Sequence, residues 1–172
     1  MLRSDDMRQF NSAVSELTAI DQINAIRILE ELAREQSEEF RCRAISGMAR
    51  ISKDRGETLA TQLLCDPNPL VRVTAIDFLR RLGSQESGPL LSRLLASDPD
   101  DLVRSWAAFA LGQIADASAL SALERAVRED PGADHEGRPI REIAAKSIKS
   151  IQSRLAQASK TLPESNRVPR QP

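Results

Sequence analysis

Apolar positions recur along most of the chain at intervals of three and four residues. Val103, Ala107, Leu111 and Ile114 stand at i, i+4, i+8 and i+11, which places them on one stripe of a helix with 3.6 residues per turn. Just upstream, Leu91, Leu94 and Leu95 form a second stripe that stops at Asp98-Pro99. Proline disfavours a helical residue before it and can open the next helix, and the aspartate is available as that helix's cap. Asp116 closes the later stretch, and Gly83 ends the equivalent helix one repeat earlier as a C-cap glycine should. No segment sustains the strict alternation of a strand. The pattern predicts short helices joined by tight turns.

The chain also matches itself. Asp66-Pro67, Asp98-Pro99 and Asp130-Pro131 are spaced by 32 residues. Each pair is followed by an apolar residue, an arginine, two variable positions and an alanine: Val71-Arg72 with Ala75, Val103-Arg104 with Ala107, and Ile140-Arg141 with Ala144. Phe40-Arg41 with Ala44 is an earlier copy without Asp-Pro. Near the N-terminus Ala25, Leu29 and Leu32 fall in the register of Ala75, Leu79 and Leu82, with Gln22 where the arginine would be. These marks give five copies, near 5–36, 37–54, 56–83, 87–115 and 117–156, in one repeat domain over 1–156. The segment 157–172, with Pro163, Pro169 and Pro172 and little apolar content, reads as a disordered tail. A helix pair with one oily stripe cannot shield it alone, and stacking on neighbouring pairs supplies the burial.

The run Asp-Pro-x-x-x-Val-Arg-x-x-Ala-x-x-x-Leu resembles the HEAT-repeat family, in particular the short bacterial branch named after the repeats of phycobilisome lyases. The resemblance covers about residues 20–156, and residues 98–128 follow the pattern almost throughout. It implies an all-α fold, an α-solenoid in the form of a right-handed superhelix of about five helix-turn-helix repeats. The family's Val-Arg helices line the concave side, and its turn aspartates and helix arginines form an internal ladder. Asp66, Arg72, Asp98, Arg104 and Arg141 would fill those places here. One departure is an insertion over 131–139, where the preceding repeat needs only Pro99 to Leu102. Loops on a solenoid rim can carry contacts. His135, between Asp134 and Glu136, belongs to no recognisable metal-ligand set and reads as part of a solvated loop.

Composition narrows the functional classes. Hydrophobic residues at 41% and charged residues at 28% are globular values, but aromatics are only 3% and tyrosine is absent, so the core must be aliphatic. A formal net charge of −1 gives no general attraction to nucleic acid or to an anionic membrane. Cys42 and Cys65 lack metal-site spacing and read as small packing residues in a reducing compartment. With no apolar run of signal or spanning length, the expected location is the cytoplasm. Neither a nucleophile elbow, a phosphate-cradling glycine loop nor a Cys-His arrangement occurs, so no catalytic, cofactor or metal residues are assigned.

What remains is the outward face of the Val-Arg helices. Positions one before, two after and six after each repeated alanine share a face away from the core. They are Asn24, Arg27 and Glu31; Arg43, Ser46 and Arg50; Thr74, Asp77 and Arg81; Trp106, Phe109 and Gln113; Ile143, Lys146 and Ser150. An aromatic pair among polar neighbours has the anatomy of a protein-binding hot spot, the alternative being that Trp106 fills a gap in the core or lies under the insertion. Candidate partner-binding residues are thus Trp106, Phe109, Gln113, Arg43, Arg50, Asp77, Arg81 and Lys146. The arginines, with Arg27, suggest a second patch for an acidic protein or a phosphate backbone, against the alternative of solvated charges. The expected function is a non-enzymatic protein-interaction module or scaffold that uses the concave face and needs no cofactor. The alternatives are a lyase-like chromophore chaperone, a toxin-neutralising immunity protein, and a nucleic-acid binder similar to HEAT-like DNA glycosylases.

Overall fold

Each helix begins or ends where the local chemistry says it must. The computed structural model describes residues 4–161, which contain the α-helices α1 (Ser4–Ile20), α2 (Gln22–Leu32), α3 (Glu38–Ile51), α4 (Lys53–Leu63), α5 (Pro69–Leu82), α6 (Gly88–Ser97), α7 (Asp101–Ile114), α8 (Leu120–Glu129) and α9 (Ile140–Thr161). The only β-type pairing among the described residues is a single bridge between Ala133 and Pro139. Gly83 ends α5 in the left-handed conformation at φ 70°, and its amide donates back to Arg80 and Leu79. Asp21, Ser52, Asn68 and Asp100 cap α2, α4, α5 and α7 through their side chains, each accepting a backbone N–H of the first turn it precedes.

Two compact units divide between Ser87 and Gly88. In the first, α1 packs on α2 and α3, α2 on α3, α3 on α4 and α5, and α4 on α5. Helices α1, α3 and α5 therefore follow one another in one layer. This corrects the expected register of the first copy: α2 is the partner of a Val-Arg helix and not itself one, which gives Gln22 its reason. In the second unit α6 packs on α7 and α8, and α9 packs on both α7 and α8. The repeated alanines Ala44, Ala75, Ala107 and Ala144 are all fully buried, alongside Ile45, Ile76, Leu79, Leu91, Leu111 and Leu123. Small side chains at these points let helices approach closely, and the aliphatic ones fill the space between layers.

The turn aspartates Asp66 and Asp98 do not cap the helices that follow them. Asp98 does not cap α7; that is Asp100, which accepts from Leu102 N and Val103 N at 3.0 and 3.2 Å. The Asp66, Asp98 and Asp130 carboxylates instead accept the amide two residues on, from Asn68, Asp100 and Gly132 at 2.8, 3.0 and 2.8 Å. Asp66 and Asp130 also take a guanidinium from the preceding Val-Arg-type helix. Arg41 donates to Asp66 through Nε (2.7 Å) and Nη2 (2.9 Å), and Arg104 to Asp130 through Nε (2.8 Å) and Nη2 (3.0 Å). Each arginine also binds the carbonyl six residues before it: Arg41 to Glu35, Arg72 to Asp66 and Arg104 to Asp98. The ladder thus includes Arg41 and Asp130, which the sequence marks but does not pair.

Arg141 departs from this pattern. It is exposed and forms no ion pair among the described residues. In the sequence, the positions 25 and 26 residues beyond it are Asn166 and Arg167, neither of which carries a carboxylate. Two smaller corrections concern the cysteines and the tail. Cys42 is half-buried and donates to Thr74 Oγ1 at 3.3 Å, with burial pushing its thiol pKa up, whereas Cys65 lies past the end of α4 and is exposed rather than packed. Helix α9 runs on through Thr161, so 157–161 are helical; residues 162–172, the rest of the expected tail, lie outside the described residues.

Candidate partner-binding cleft

Within the second unit, α7 and α9 approach most closely at Gly112 and Ser147. A Cβ on Gly112 would lie 2.6 Å from Ser147 Cβ and 2.8 Å from Ser147 Cα, so only glycine fits there. From that contact the two helices and the 131–139 segment enclose a cleft of about 370 Å³. The outward positions of both helices, Trp106, Phe109 and Gln113 with Ile143, Lys146 and Ser150, all line it. Trp106 is half-buried and Phe109 is 41% exposed, their rings meeting edge-to-face with centroids 6.1 Å apart and planes at 88°. Trp106 is therefore neither sealed in the core nor free on the surface; it forms a wall.

The 131–139 insertion, read from its sequence as a solvated loop, is a hairpin closed by backbone hydrogen bonds, with His135 exposed. Asp134 organises it: its carboxylate accepts the amides of Glu136 and Arg138, both at 2.9 Å, and Arg138 Nε at 2.7 Å. Burial works against the charged form of Asp134, but the Arg138 and Glu136 donors outweigh it and hold the pKa below the usual carboxylate value. Gly137 turns the chain at φ 78°, a conformation that favours glycine. The backbone then closes through Asp134 N to Arg138 O and Ile140 N to Gly132 O, both 2.9 Å, which delivers α9 at its first turn. His135 is exposed, with Nε2 3.7 Å from Glu136 Oε1. No group of three or more residues able to hold a metal occurs among the described residues.

At the other end Arg154 fastens the helices together. Its Nη1 donates to Gly112 O and its Nη2 to Ala115 O, both at 2.6 Å, so a cation on α9 satisfies the carbonyls at the end of α7. Along the rim, Glu142 and Lys146 are exposed at i and i+4, yet neither forms an ion pair among the described residues. On the floor, Ser105 donates to Leu102 O, but the Ser147 hydroxyl has no hydrogen-bond partner among the described residues although the residue is only 5% exposed. Ser105, Gly112, Ser147 and Arg154 were not singled out by sequence; the one available signal was a glycine inside a helical pattern.

The remaining candidates lie in the first unit and are engaged with their own neighbours. Arg43 is half-buried, ion-paired to Glu39 and 5.6 Å over the Phe10 ring. Arg50 is exposed and donates to Ser15 Oγ at 3.0 Å. Asp77 takes both Arg80 and Arg81 at 2.7 Å. Arg27 pairs with Glu31 on α2, in the layer opposite α3, and so does not extend this face.

A family model of HEAT repeats matches residues 26–112 and, in a second match, residues 89–149. The chain belongs to the HEAT-repeat family. The described residues are all-α, with no strand, and within each unit the helices pack on one another as in the helical repeats of an α-solenoid protein. The match is to HEAT repeats in general and does not single out the phycobilisome-lyase branch. No curated protein matches the chain. HEAT repeats generally mediate protein–protein contacts or scaffolding, and no helix of this HEAT-repeat chain is long and apolar enough to cross a membrane among the described residues.

Proposed function

We propose that this HEAT-repeat chain is a non-enzymatic interaction module that binds a partner protein through the face of its Val-Arg helices, with the cleft between α7 and α9 as the anchoring point. One observation carries the reading. Six outward positions from two successive Val-Arg helices converge on one cleft, and they include the chain's single tryptophan and an exposed phenylalanine. Large aromatic side chains that are partly desolvated and framed by polar neighbours dominate binding energy at interfaces. The surrounding frame is rigid, because Gly112, Arg154 and the Asp134 hairpin fix both walls, and a preformed site costs less to order on binding. The cytoplasm is the setting we assign, where Cys42 and Cys65 would remain thiols.

The test is affinity capture with the full chain and two surface variants, Lys146→Glu and Phe109→Ala, whose melting temperatures are measured alongside. A partner retained by the natural chain and lost by both variants, with melting unchanged, supports the reading. Equal capture by all three, or capture governed by Arg43 and Arg81 variants instead, contradicts it.

A further inference from the structure

The cleft carries an unused hydroxyl as well as aromatic walls, and together these specify an occupant. Resting on the interaction-module reading, we propose that the cleft takes an aromatic side chain of a partner peptide whose neighbouring residue is acidic. Three features assign the parts. Trp106 and Phe109 offer ring surface in a space of about 370 Å³, at the scale of sites that enclose a ring-sized group. Ser147 is more than nine-tenths buried, lines the cleft and has no hydrogen-bond partner among the described residues, so its hydroxyl is positioned to donate to a main-chain carbonyl of the anchor. Lys146 stands beside it on the rim, exposed and without an ion pair among the described residues.

The other charges facing the cleft fix where the acid goes. Arg138 is committed to Asp134 and Glu136, so the hairpin end of the lining presents two carboxylates, Asp134 and Glu142, against that one engaged guanidinium and the imidazole of His135. A carboxylate is repelled at that end and attracted one turn further along α9, at Lys146. Aromatic anchor and acid are therefore read side by side, away from the hairpin.

Selection of random twelve-residue peptides displayed on phage against the full chain, followed by calorimetric titration of the winners as synthetic peptides, tests this. Enriched peptides should share an aromatic residue within two positions of Asp or Glu. Replacing that aromatic by Ala should weaken binding by at least about 30-fold, the scale of a hot spot. Replacing the acid by Lys should weaken it by a few-fold, and Lys146→Glu in the chain should reverse that preference. Ser147→Ala, a change too small to unfold the helix, should cost about 3- to 10-fold. Winners that shift the Trp106 emission but lack the aromatic–acid pair would overturn this inference and leave the module reading standing. Winners indifferent to Phe109→Ala and Lys146→Glu would remove both, and a selection without enrichment would overturn the inference.

Discussion

Gly112 and Ser147 meet where α7 passes α9, so closely that a methyl group on the glycine would fall 2.8 Å from the serine's Cα. That contact sets the depth of the cleft beside it. Alanine replaces glycine in a helix interior with a gain of about 1 kcal/mol when nothing opposes it. Here backbone opposes it, and backbone cannot rotate aside, so overpacking of roughly 1–3 kcal/mol should outweigh the gain. Gly112→Ala should therefore lower the urea midpoint, and the same glycine-to-alanine exchange at a helix site with open space should not.

Arg104 and Asp130 form one rung of the ladder, with side chains 13% and 8% exposed. Burial raises the Asp130 pKa, but hydrogen bonds from Arg104 and the Gly132 amide more than reverse this, so the net shift is downward. A carboxylate with a folded pKa below its unfolded one, near 3.9, adds stability that is present above that pH and lost as pH falls through the folded value. The natural chain should lose stability on acidification below about pH 4, and Asp130→Asn should flatten that loss while costing roughly 2 kcal/mol at neutral pH, between the values for exposed and fully buried pairs. Denaturant titrations at stepped pH check both.

The Arg154 guanidinium takes over carbonyls that the end of α7 cannot satisfy itself. Arg154→Ala should cost about 1–2 kcal/mol and speed amide exchange in the last turn of α7 and the facing turns of α9. Exchange in α6 and α8 should change less, which hydrogen-exchange mass spectrometry resolves by segment.

Gly137 has open space around it, so a side chain there meets no neighbour; only its φ of 78° matters. Gly137→Ala should strain the hairpin by about 1 kcal/mol and loosen the cleft rim without disturbing the core. The expected signature is easier acrylamide quenching of Trp106 at a nearly constant melting temperature.

The repeat and its core were legible because each depends on periodicity alone: the alanine register names Ala44, Ala75, Ala107 and Ala144, and all four are sealed. Apolar marks at helical spacing do not say which layer a helix joins, and for that reason Ala25 and Leu29 suggested a Val-Arg helix where α2 is the partner of one. The aromatic wall followed from the same register, since Trp106 and Phe109 broke a polar pattern. The cleft itself did not, because its depth comes from a cross-helix contact at Gly112. Hairpin order was hidden for a related reason. Asp134, Glu136 and Arg138 read as solvated charges until the turn at Gly137 brings two amides and a guanidinium onto one carboxylate.

The most direct measurement is acrylamide quenching of the single tryptophan in the full chain, alone and saturated with a partner obtained by capture. If α7 and α9 hold the anchor, quenching of free Trp106 is intermediate and falls sharply in the complex, and the fall disappears with a partner that no longer binds. A complex that forms at full strength while Trp106 stays as quenchable as before would contradict the account.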